Sequence, residues 1–282
     1  MDILIIIPVH NEDKYLLRSL GSLVEQTLLP KKIIVVNDNS TDDTQKIIDS
    51  FVSKYDFICT THNTSESRHQ PGAKVIDAFY QGLDLEKGEF DLIGKFDGDI
   101  VLPSNYFERM VSIFDLNNDV GIAGGNLYIE KNESWEFENI SKKTKVRGPI
   151  KLYRKECFRD IGGLKKSIGW DTVDELLAQF HGWKIQTDAN LKVKHLKPTG
   201  ISYTENAKYK QGEAFYRMRY GFLLSTIAAA KLAFKKRSLR HFFYTLQGYL
   251  KASNKKLIFI VSKEEGKFIR ALRWKGIKNK IL

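Results

Sequence analysis

The most informative segment of the chain reads Leu92-Ile93-Gly94-Lys95-Phe96-Asp97-Gly98-Asp99. Its first five residues have the length and apolar character of a buried strand, so Asp97 and Asp99 follow at the carboxyl end of that strand. Ligands of open α/β sheets bind outside the carboxyl ends of the strands, which places this acidic loop where chemistry takes place. Two carboxylates one residue apart favour a Mg²⁺ or Mn²⁺ ion that also binds phosphate oxygens, although Asp-Gly is also common in simple turns.

Before this segment the chain alternates short β-rich runs with helical patterns. Residues 3–7, 33–36 and 57–61 read as strands, and each is followed by apolar residues at helical spacing. This alternation is typical of βαβ units and predicts an α/β fold with a mostly parallel central sheet. Beyond the acidic loop, we expect a strand over residues 120–129 and a helix over residues 171–182.

The composition predicts a globular protein whose two ends differ in charge. The 282 residues are 42% hydrophobic and 28% charged, which argues against disorder. Residues 207–282 contain 19 lysine and arginine residues against three acidic ones, a net charge of +16, whereas residues 1–206 have a net charge of −5. We therefore predict one α/β domain over residues 1–206 and a basic, mainly helical extension over residues 207–282. Such a basic extension favours an anionic partner, either phospholipid headgroups or nucleic acid.

Several features bear on the cellular location. Cys59 and Cys157 have no metal-ligand spacing and suggest no disulfide framework, which fits a reducing compartment. The N-terminus lacks the basic flank and cleavage site of a signal peptide. The longest uncharged run of the extension, residues 220–230, is shorter than the roughly 20 residues of a spanning helix. We expect a cytoplasmic protein, peripheral on the cytoplasmic face of the membrane if the extension binds lipid, or with a packed helical subdomain if it does not.

Polar residues also follow the first two predicted strands. The first strand-to-helix turn reads Pro8-Val9-His10-Asn11-Glu12, and its backbone is placed to line a nucleotide pocket. We assign nucleotide contacts there to Pro8, Val9, Asn11 and Glu12 and no role to His10. Asp38 ends the second strand, where its carboxylate can accept hydrogen bonds from a nucleotide base or cap the following helix.

The predicted helix over residues 171–182 begins with acidic side chains. Asp171 is a candidate general base that accepts the proton of an attacking hydroxyl, and a helix cap is the alternative. Asp174 and Glu175 compete for the same role. By helical periodicity, all three lie opposite the apolar face, so we expect them to face outward or into a cleft.

The remaining candidates are a histidine and four cations. His195 lies at the end of a predicted strand and can complete a metal site with Asp97 and Asp99, although a histidine between lysines is often only solvated. Basic residues that can contact a diphosphate are Arg68, Lys74, Lys151 and Arg154.

A longer pattern connects these local signals. It begins Ile-Ile-Ile-Pro-Val-His-Asn-Glu at Ile5, continues through Gln26-Thr27 and ends Val-Val-Asn-Asp-Asn-Ser-Thr-Asp-Asp-Thr at Thr44. Together with Asp97-Gly98-Asp99, this order resembles the nucleotide-binding half of the family 2 glycosyltransferases. The resemblance extends over roughly the first two thirds of the chain, and the combined pattern is far more specific than any one of its elements.

The resemblance implies a GT-A fold, which is a Rossmann-like sandwich, and a metal-dependent hexosyl transfer. The sugar would move with inversion from a nucleotide-diphosphate donor, with a UDP-sugar favoured, to a hydroxyl of a glycan or lipid-linked acceptor in cell-surface polysaccharide synthesis. Asp38 matches the base-contacting carboxylate, and Asp171 matches the aspartate of the family's Glu-Asp pair, with Trp170 where the glutamate is usual. The resemblance implies metal or donor binding by Asp97, Asp99 and His195.

Two other classes of function compete with this one. A sugar-1-phosphate nucleotidyltransferase would use a related sheet, but it expects a glycine-rich loop after the first strand, and Pro8-Val9-His10-Asn11-Glu12 has no glycine. A nucleic-acid-binding protein would explain the basic extension. However, the acidic loop would repel a phosphate backbone, so we expect no nucleic-acid partner.

Overall fold

The computed structural model describes residues 1–63, 73–197 and 208–281, and its strands form one sheet in the order β3-β2-β1-β4-β8-β6-β9-β5, with β7 paired to β6. The strands are β1 (Ile3–Val9), β2 (Lys32–Asn37), β3 (Ile58–His62), β4 (Leu92–Phe96), β5 (Ile100–Val101), β6 (Val120–Lys131), β7 (Ser134–Phe137), β8 (Ile150–Arg154) and β9 (Lys184–His195). The helices are α1 (Asp13–Val24), α2 (Thr44–Val52), α3 (Ala73–Leu85), α4 (Tyr106–Leu116), α5 (Lys155–Asp160), α6 (Trp170–Phe180), α7 (Lys210–Arg217), α8 (Phe222–Lys235), α9 (Leu239–Asn254) and α10 (Lys263–Ile281).

The N-terminal strands pair in parallel, as the βαβ pattern predicts. β1 lies between β2 and β4, with Ile5 opposite Ile33 on one side and Gly94 on the other, and β3 extends the ladder beyond β2. Parallel strands bring their carboxyl ends to the same edge of a sheet. The residues that follow β1, β2 and β4 therefore share one edge.

Beyond β4 the sheet is mixed rather than parallel. β8 pairs antiparallel with β4 and β6, and β5 pairs antiparallel with β9, whereas β6 and β9 are parallel. The predicted α/β fold is confirmed, with parallel pairing among β1 to β4 and between β6 and β9 and antiparallel pairing where β5, β7 and β8 join the sheet. The cause of the mixed pairing is β8, which lies between β4 and β6 and runs against both of them.

Helices pack on both faces of the N-terminal sheet. On one face, Ile5, Ile7 and Val35 belong to a buried core with residues of α1, α2 and α4. On the other face, α3 approaches so closely that a Cβ on Gly82 would lie 2.8 Å from side-chain atoms of Ile6 and of Val36. Strand residues alternate between the two faces, so a sheet covered on both sides needs the continuous apolar runs that predicted these strands.

The described residues divide into two compact units. The first contains the sheet and consists of residues 1–63, 74–164 and 181–197; the second consists of residues 73, 165–180 and 208–281. The predicted boundary between residues 206 and 207 lies outside the described residues and stays a prediction.

The second unit is helical, as predicted for the C-terminal extension. α7 and α9 touch at their backbones, since a Cβ on Gly212 would lie 1.8 Å from the carbonyl oxygen of Thr245. The rings of Phe180 and Phe268 join α6 to α10 with centroids 5.5 Å apart. None of the described helices has both the length and the apolar character needed to cross a membrane.

Candidate active site

The turn after β1 is tied to the turn after β2 by side-chain hydrogen bonds. Asn11 has a positive φ of 53°, and its backbone N–H donates to Ser40 Oγ at 3.0 Å. Its own Oδ1 accepts from the backbone N–H of Thr41 at 2.8 Å. Asparagine tolerates this left-handed conformation better than most residues, which explains its place in the tight turn. Of the predicted nucleotide-lining residues, Pro8 and Val9 thus end β1, and Asn11 and Glu12 lie on the turn that follows it.

Asp38 lies beside this turn at the end of β2. Its backbone N–H donates to the Val9 carbonyl at 2.8 Å, and its carboxylate Oδ1 accepts from Asn63 Nδ2 at 3.0 Å. His10 Nδ1 lies 2.6 Å from the Asp38 carbonyl oxygen. Asp38 is therefore held at the sheet edge by contacts on three sides, and Asn63, at the end of the neighbouring strand β3, is a supporting residue that the sequence analysis did not identify.

The acidic loop after β4 lies against the end of β1. A Cβ on Gly98 would lie 2.7 Å from Val9 Cγ1, so the loop can approach this closely only with glycine between its two aspartates. The Asp97 carboxylate is ion-paired with the buried ammonium of Lys95. Asp99 is buried, and its Oδ1 has no hydrogen-bond partner among the described residues.

His195 ends β9 and faces the acidic loop. It is the register partner of Ile100, and its Nε2 lies 3.6 Å from Asp99 Oδ2 while Nδ1 lies 3.1 Å from Glu138 Oε2. Burial lowers the pKa of the imidazole, but the carboxylates of Asp99 and Glu138 outweigh it and raise this pKa to about 9. His195 is thus a buried group between two carboxylates and not a solvated surface histidine. Glu138 was not a candidate from the sequence.

Glu12 adds a further carboxylate to this edge. Lys197 Nζ donates to its Oε1 at 2.8 Å, and Oε2 is buried without a hydrogen-bond partner among the described residues. Burial raises the pKa of Glu12, and the negative charges of Asp99 and Asp97 act in the same direction, while Lys197 opposes them. Glu12 therefore contributes its side chain to the electrostatics of the site and not only its backbone.

The side chains at this edge fit a divalent cation. A buried carboxylate oxygen without a partner is costly unless a donor or cation reaches it, and Asp99 Oδ1 is such an atom. Within the described part of the chain, no three His, Cys, Asp or Glu side chains form a ready-made metal cluster. This absence does not conflict with Mg²⁺, which usually binds one or two carboxylates together with substrate phosphates and water. Metal ligation by Asp97, Asp99 and His195 stays a prediction.

The candidate cations fall in different places. Lys151 is fully buried beside the site, as register partner of Lys95 on β8. Arg154 lies at the opposite end of that strand pair, opposite Leu92, and its guanidinium donates to the carbonyls of Phe114 and Val120. This position argues against the predicted contact of Arg154 with a diphosphate, since it is at the wrong edge of the sheet. Lys74 lies in the first turn of α3, and Arg68 lies outside the described residues.

The three acids of α6 differ in exposure. The helix begins at Trp170, so Asp171 lies within its first turn and is half-buried. Asp174 and Glu175 are buried, and Asp174 Oδ1 accepts from the backbone N–H of Glu175 at 2.6 Å. Asp174 and Glu175 therefore do not face outward, and the alternative expectation, that they face a cleft, stays a prediction. Among the three, Asp171 is the most accessible to an acceptor.

Comparisons with known proteins agree with this arrangement. Residues 4–164 match the family model described as Glycosyl transferase family 2. An uncharacterized glycosyltransferase of Mycoplasma pneumoniae is 27% identical over 58% of this chain and 56% of its own length. The poly(ribitol-phosphate) beta-glucosyltransferase of Bacillus spizizenii is 30% identical over 57% of this chain and 26% of its own length. The chain thus spans little more than half of the first relative and about a quarter of the second.

A solved structure shares the fold. The crystal structure of S. aureus TarS 1-349 in complex with UDP-GlcNAc superposes with a TM-score of 0.60 at 19% sequence identity, covering 80% of this chain and 66% of that one. At this identity the likeness establishes the fold, which is of the GT-A type. The sheet edge described above is therefore part of a GT-A fold, as the sequence pattern predicts.

Proposed function

The chain belongs to glycosyl transferase family 2, and on this basis we propose that it transfers a sugar from a nucleotide-diphosphate donor to a hydroxyl group of an acceptor. The observation that carries the proposal is the common edge of β1, β2 and β4. There the fixed turn around Asn11, the carboxylate of Asp38 and the acidic loop Asp97-Gly98-Asp99 lie side by side. A carboxylate can accept hydrogen bonds from a nucleotide base, an acidic loop can hold the cation that a diphosphate needs, and the turn after β1 lies between the two.

Donor binding would be divided among these residues. The Asp38 carboxylate, already held by Asn63, would accept hydrogen bonds from the nucleotide base. A divalent cation held by Asp97, Asp99 and His195 would neutralise the leaving diphosphate when bound. Lys95, which is ion-paired with Asp97, holds that carboxylate at the strand end.

Asp171 is the general base of the proposed reaction. The acceptor hydroxyl attacks the anomeric carbon, its proton passes to the Asp171 carboxylate, and the bond from the anomeric carbon to the diphosphate oxygen breaks with inversion. The greater exposure of Asp171 supports this assignment over Asp174 and Glu175, which are buried. The usual glutamate before this aspartate is replaced by Trp170, which is also buried.

The relatives suggest a donor and an acceptor class. TarS was solved with UDP-GlcNAc, and the Bacillus spizizenii relative is named for glucosylation of poly(ribitol-phosphate). We propose a UDP-sugar donor and a cell-surface glycan or polyol-phosphate polymer as acceptor, reached from the cytoplasmic side.

The second unit supplies a surface that fits a membrane partner. Residues 214–263 contain 11 lysine and arginine residues and no aspartate or glutamate. Exposed apolar side chains lie among them: on α8, Leu223, Ile227 and Phe234 recur at intervals of four and seven residues and so share one helical face. On α9, Leu239, Phe243 and Leu250 do the same.

The connection between α8 and α9 lies next to the most exposed apolar side chain of that surface. We call residues 227–243 the α8–α9 corner. Phe234 is 88% exposed and Leu239 is 79% exposed, and the cations around them are Lys231, Lys235, Lys236, Arg237 and Arg240. Protruding apolar side chains close to cations in the sequence suit the interface of an anionic bilayer. We propose that this corner holds the enzyme on the membrane that carries its acceptor.

A screen of nucleotides by thermal unfolding tests the proposed activity. UDP, GDP, dTDP and ADP are each added with Mn²⁺, with Mg²⁺ and with chelator, and a ligand that binds only the folded state raises the midpoint of unfolding. UDP with metal is expected to give the largest increase. If no nucleoside diphosphate stabilises the protein, with or without metal, the proposed donor class is wrong.

A further inference from the structure

Four buried ionisable side chains form a continuous network that ends at the acidic loop. Arg147 Nη1 donates to Glu138 Oε2 at 3.2 Å, and the same oxygen lies 3.1 Å from His195 Nδ1. On the far side of the ring, His195 Nε2 lies 3.6 Å from Asp99 Oδ2. All four residues are at least nine-tenths buried.

Glu138 is held rigidly in this network. It directly follows β7, and its backbone N–H donates to the Leu127 carbonyl on β6 at 2.9 Å. Arg147 contacts the carboxylate oxygen that faces the imidazole, so rotation of the Glu138 side chain would break a buried ion pair. The position of Oε2 therefore determines the orientation of the His195 ring.

The stability of the folded protein does not by itself explain why such a network is buried. Well-packed apolar residues in place of a buried ion pair are often neutral or stabilising, so a buried carboxylate placed against a histidine ring invites a functional explanation. A histidine that binds a metal through one ring nitrogen commonly donates its other N–H to a carboxylate, which sets its tautomer and orientation. Glu138 meets Nδ1 in this way and leaves Nε2 beside Asp99. The distance from Nε2 to Asp99 Oδ2 exceeds a normal hydrogen bond, so these two atoms are neighbours that can share a third partner.

We propose that Glu138 is a positioning residue that orients His195 so that Nε2 and the Asp99 carboxylate bind one divalent cation together. This role rests on the proposed metal-dependent donor site. Glu138 itself touches neither donor nor cation. It acts through the ring of His195, and Arg147 fixes Glu138 in turn.

The test compares two glutamates near the same hairpin. Glu138→Gln keeps the side-chain volume and removes the charge that holds Nδ1–H, whereas Glu136→Gln changes an exposed glutamate on β7 and serves as the control. Free Mn²⁺ is counted by electron paramagnetic resonance in titrations of the full chain, with and without UDP. Thermal unfolding without metal reports any loss of stability separately.

Glu138→Gln is expected to weaken Mn²⁺ binding by about 10–100-fold, as is usual for the loss of a carboxylate behind a metal-ligating histidine. UDP affinity measured in chelator should not change, and Glu136→Gln should bind Mn²⁺ like the wild type. If Glu138→Gln does not fold, Glu138→Asp replaces it, because it keeps the charge and withdraws the carboxylate from Nδ1.

The possible results distinguish failure of the positioning role from failure of the metal site. Wild-type Mn²⁺ affinity in the folded Glu138 variant would overturn the positioning role and leave the metal site in place. Failure of the wild type to bind Mn²⁺, with or without UDP, would overturn the metal site and the role of Glu138 together.

Discussion

Asp99 and His195 face each other across the short ladder between β5 and β9. The backbone N–H of Leu196 donates to the Asp99 carbonyl at 2.8 Å, and the side chains follow with His195 Nε2 at 3.6 Å from Asp99 Oδ2. β5 has only two residues, yet its pairing brings the end of β9 to the acidic loop. Ninety-six positions separate these residues in the sequence, and the ladder makes them one site.

The acidic loop is expected to account for the metal dependence of donor binding. In the double variant Asp97→Asn with Asp99→Asn, UDP should no longer stabilise the protein more with Mn²⁺ or Mg²⁺ than with chelator, because both changes remove charged oxygen ligands. Thermal unfolding with and without metal measures this. Asp115→Asn, on the exposed side of α4, is the control and should retain the metal effect. Metal-dependent stabilisation that persists in the double variant would mean that the cation binds elsewhere.

Asn63 is expected to support nucleotide binding through Asp38. Asn63→Ala removes the donor to Asp38 Oδ1, and a hydrogen bond of this kind contributes about 0.5–1.5 kcal/mol, so UDP affinity should fall by about 3–10-fold. Asp38→Ala should weaken binding at least as much. Calorimetric titration with UDP gives both values. Tighter or equal binding by Asp38→Ala would show that this carboxylate does not contact the nucleotide.

Asp171 is expected to act in turnover and not in donor binding. Asp171→Asn should leave UDP affinity nearly unchanged and lower kcat by at least about 10²-fold, the lower end of the contribution of a positioned general base. Sugar transfer and UDP titration are measured on the same preparation. Asp174→Asn is the comparison within α6, since that buried side chain should affect thermal stability more than the chemical step. A loss of UDP affinity in Asp171→Asn would identify the residue as a ligand instead.

The α8–α9 corner is expected to bind anionic vesicles. Reversal of two of its cations, Lys235→Glu with Lys236→Glu, should weaken cosedimentation with phosphatidylglycerol vesicles about 30-fold or more, because each contributes about 1 kcal/mol of attraction. Phe234→Ser with Leu239→Ser should also weaken it, and added salt should weaken it in the wild type. The matched control is Leu116→Ser on α4, an equally protruding apolar residue of the first unit that is 83% exposed.

Three results would contradict the proposed membrane role of the corner. Absence of vesicle binding by the wild type at low salt would rule out the membrane role. Self-association that Phe234→Ser abolishes would indicate a second copy of the chain as the partner. If the protein binds nucleic acid more strongly than vesicles, and salt weakens this binding, the partner of the corner is nucleic acid.

Local patterns in the sequence were sufficient to predict most of the N-terminal elements and the family. β4 was predicted with its observed bounds, and β1 and β2 within two residues, because a strand covered on both faces must be apolar without interruption. Asp38 and the Asp97-Gly98-Asp99 loop were predicted as candidates for the same reason: a polar residue directly after such a strand lies at the ligand edge of the sheet. The helical character of the C-terminal extension also followed from its pattern.

Only the tertiary structure decided which of these residues meet. Glu138 contacts His195 across 57 positions, and no periodicity connects a residue after a hairpin strand with the end of another strand. The same limit explains Arg154, whose place at the far edge follows from the antiparallel direction of β8, and Asp174, whose burial depends on what covers the second side of α6. Strand and helix signals arise from neighbouring residues along the chain. The direction of a returning strand and the partner of a buried charge arise from contacts between distant ones, and these exist only once the sheet has formed.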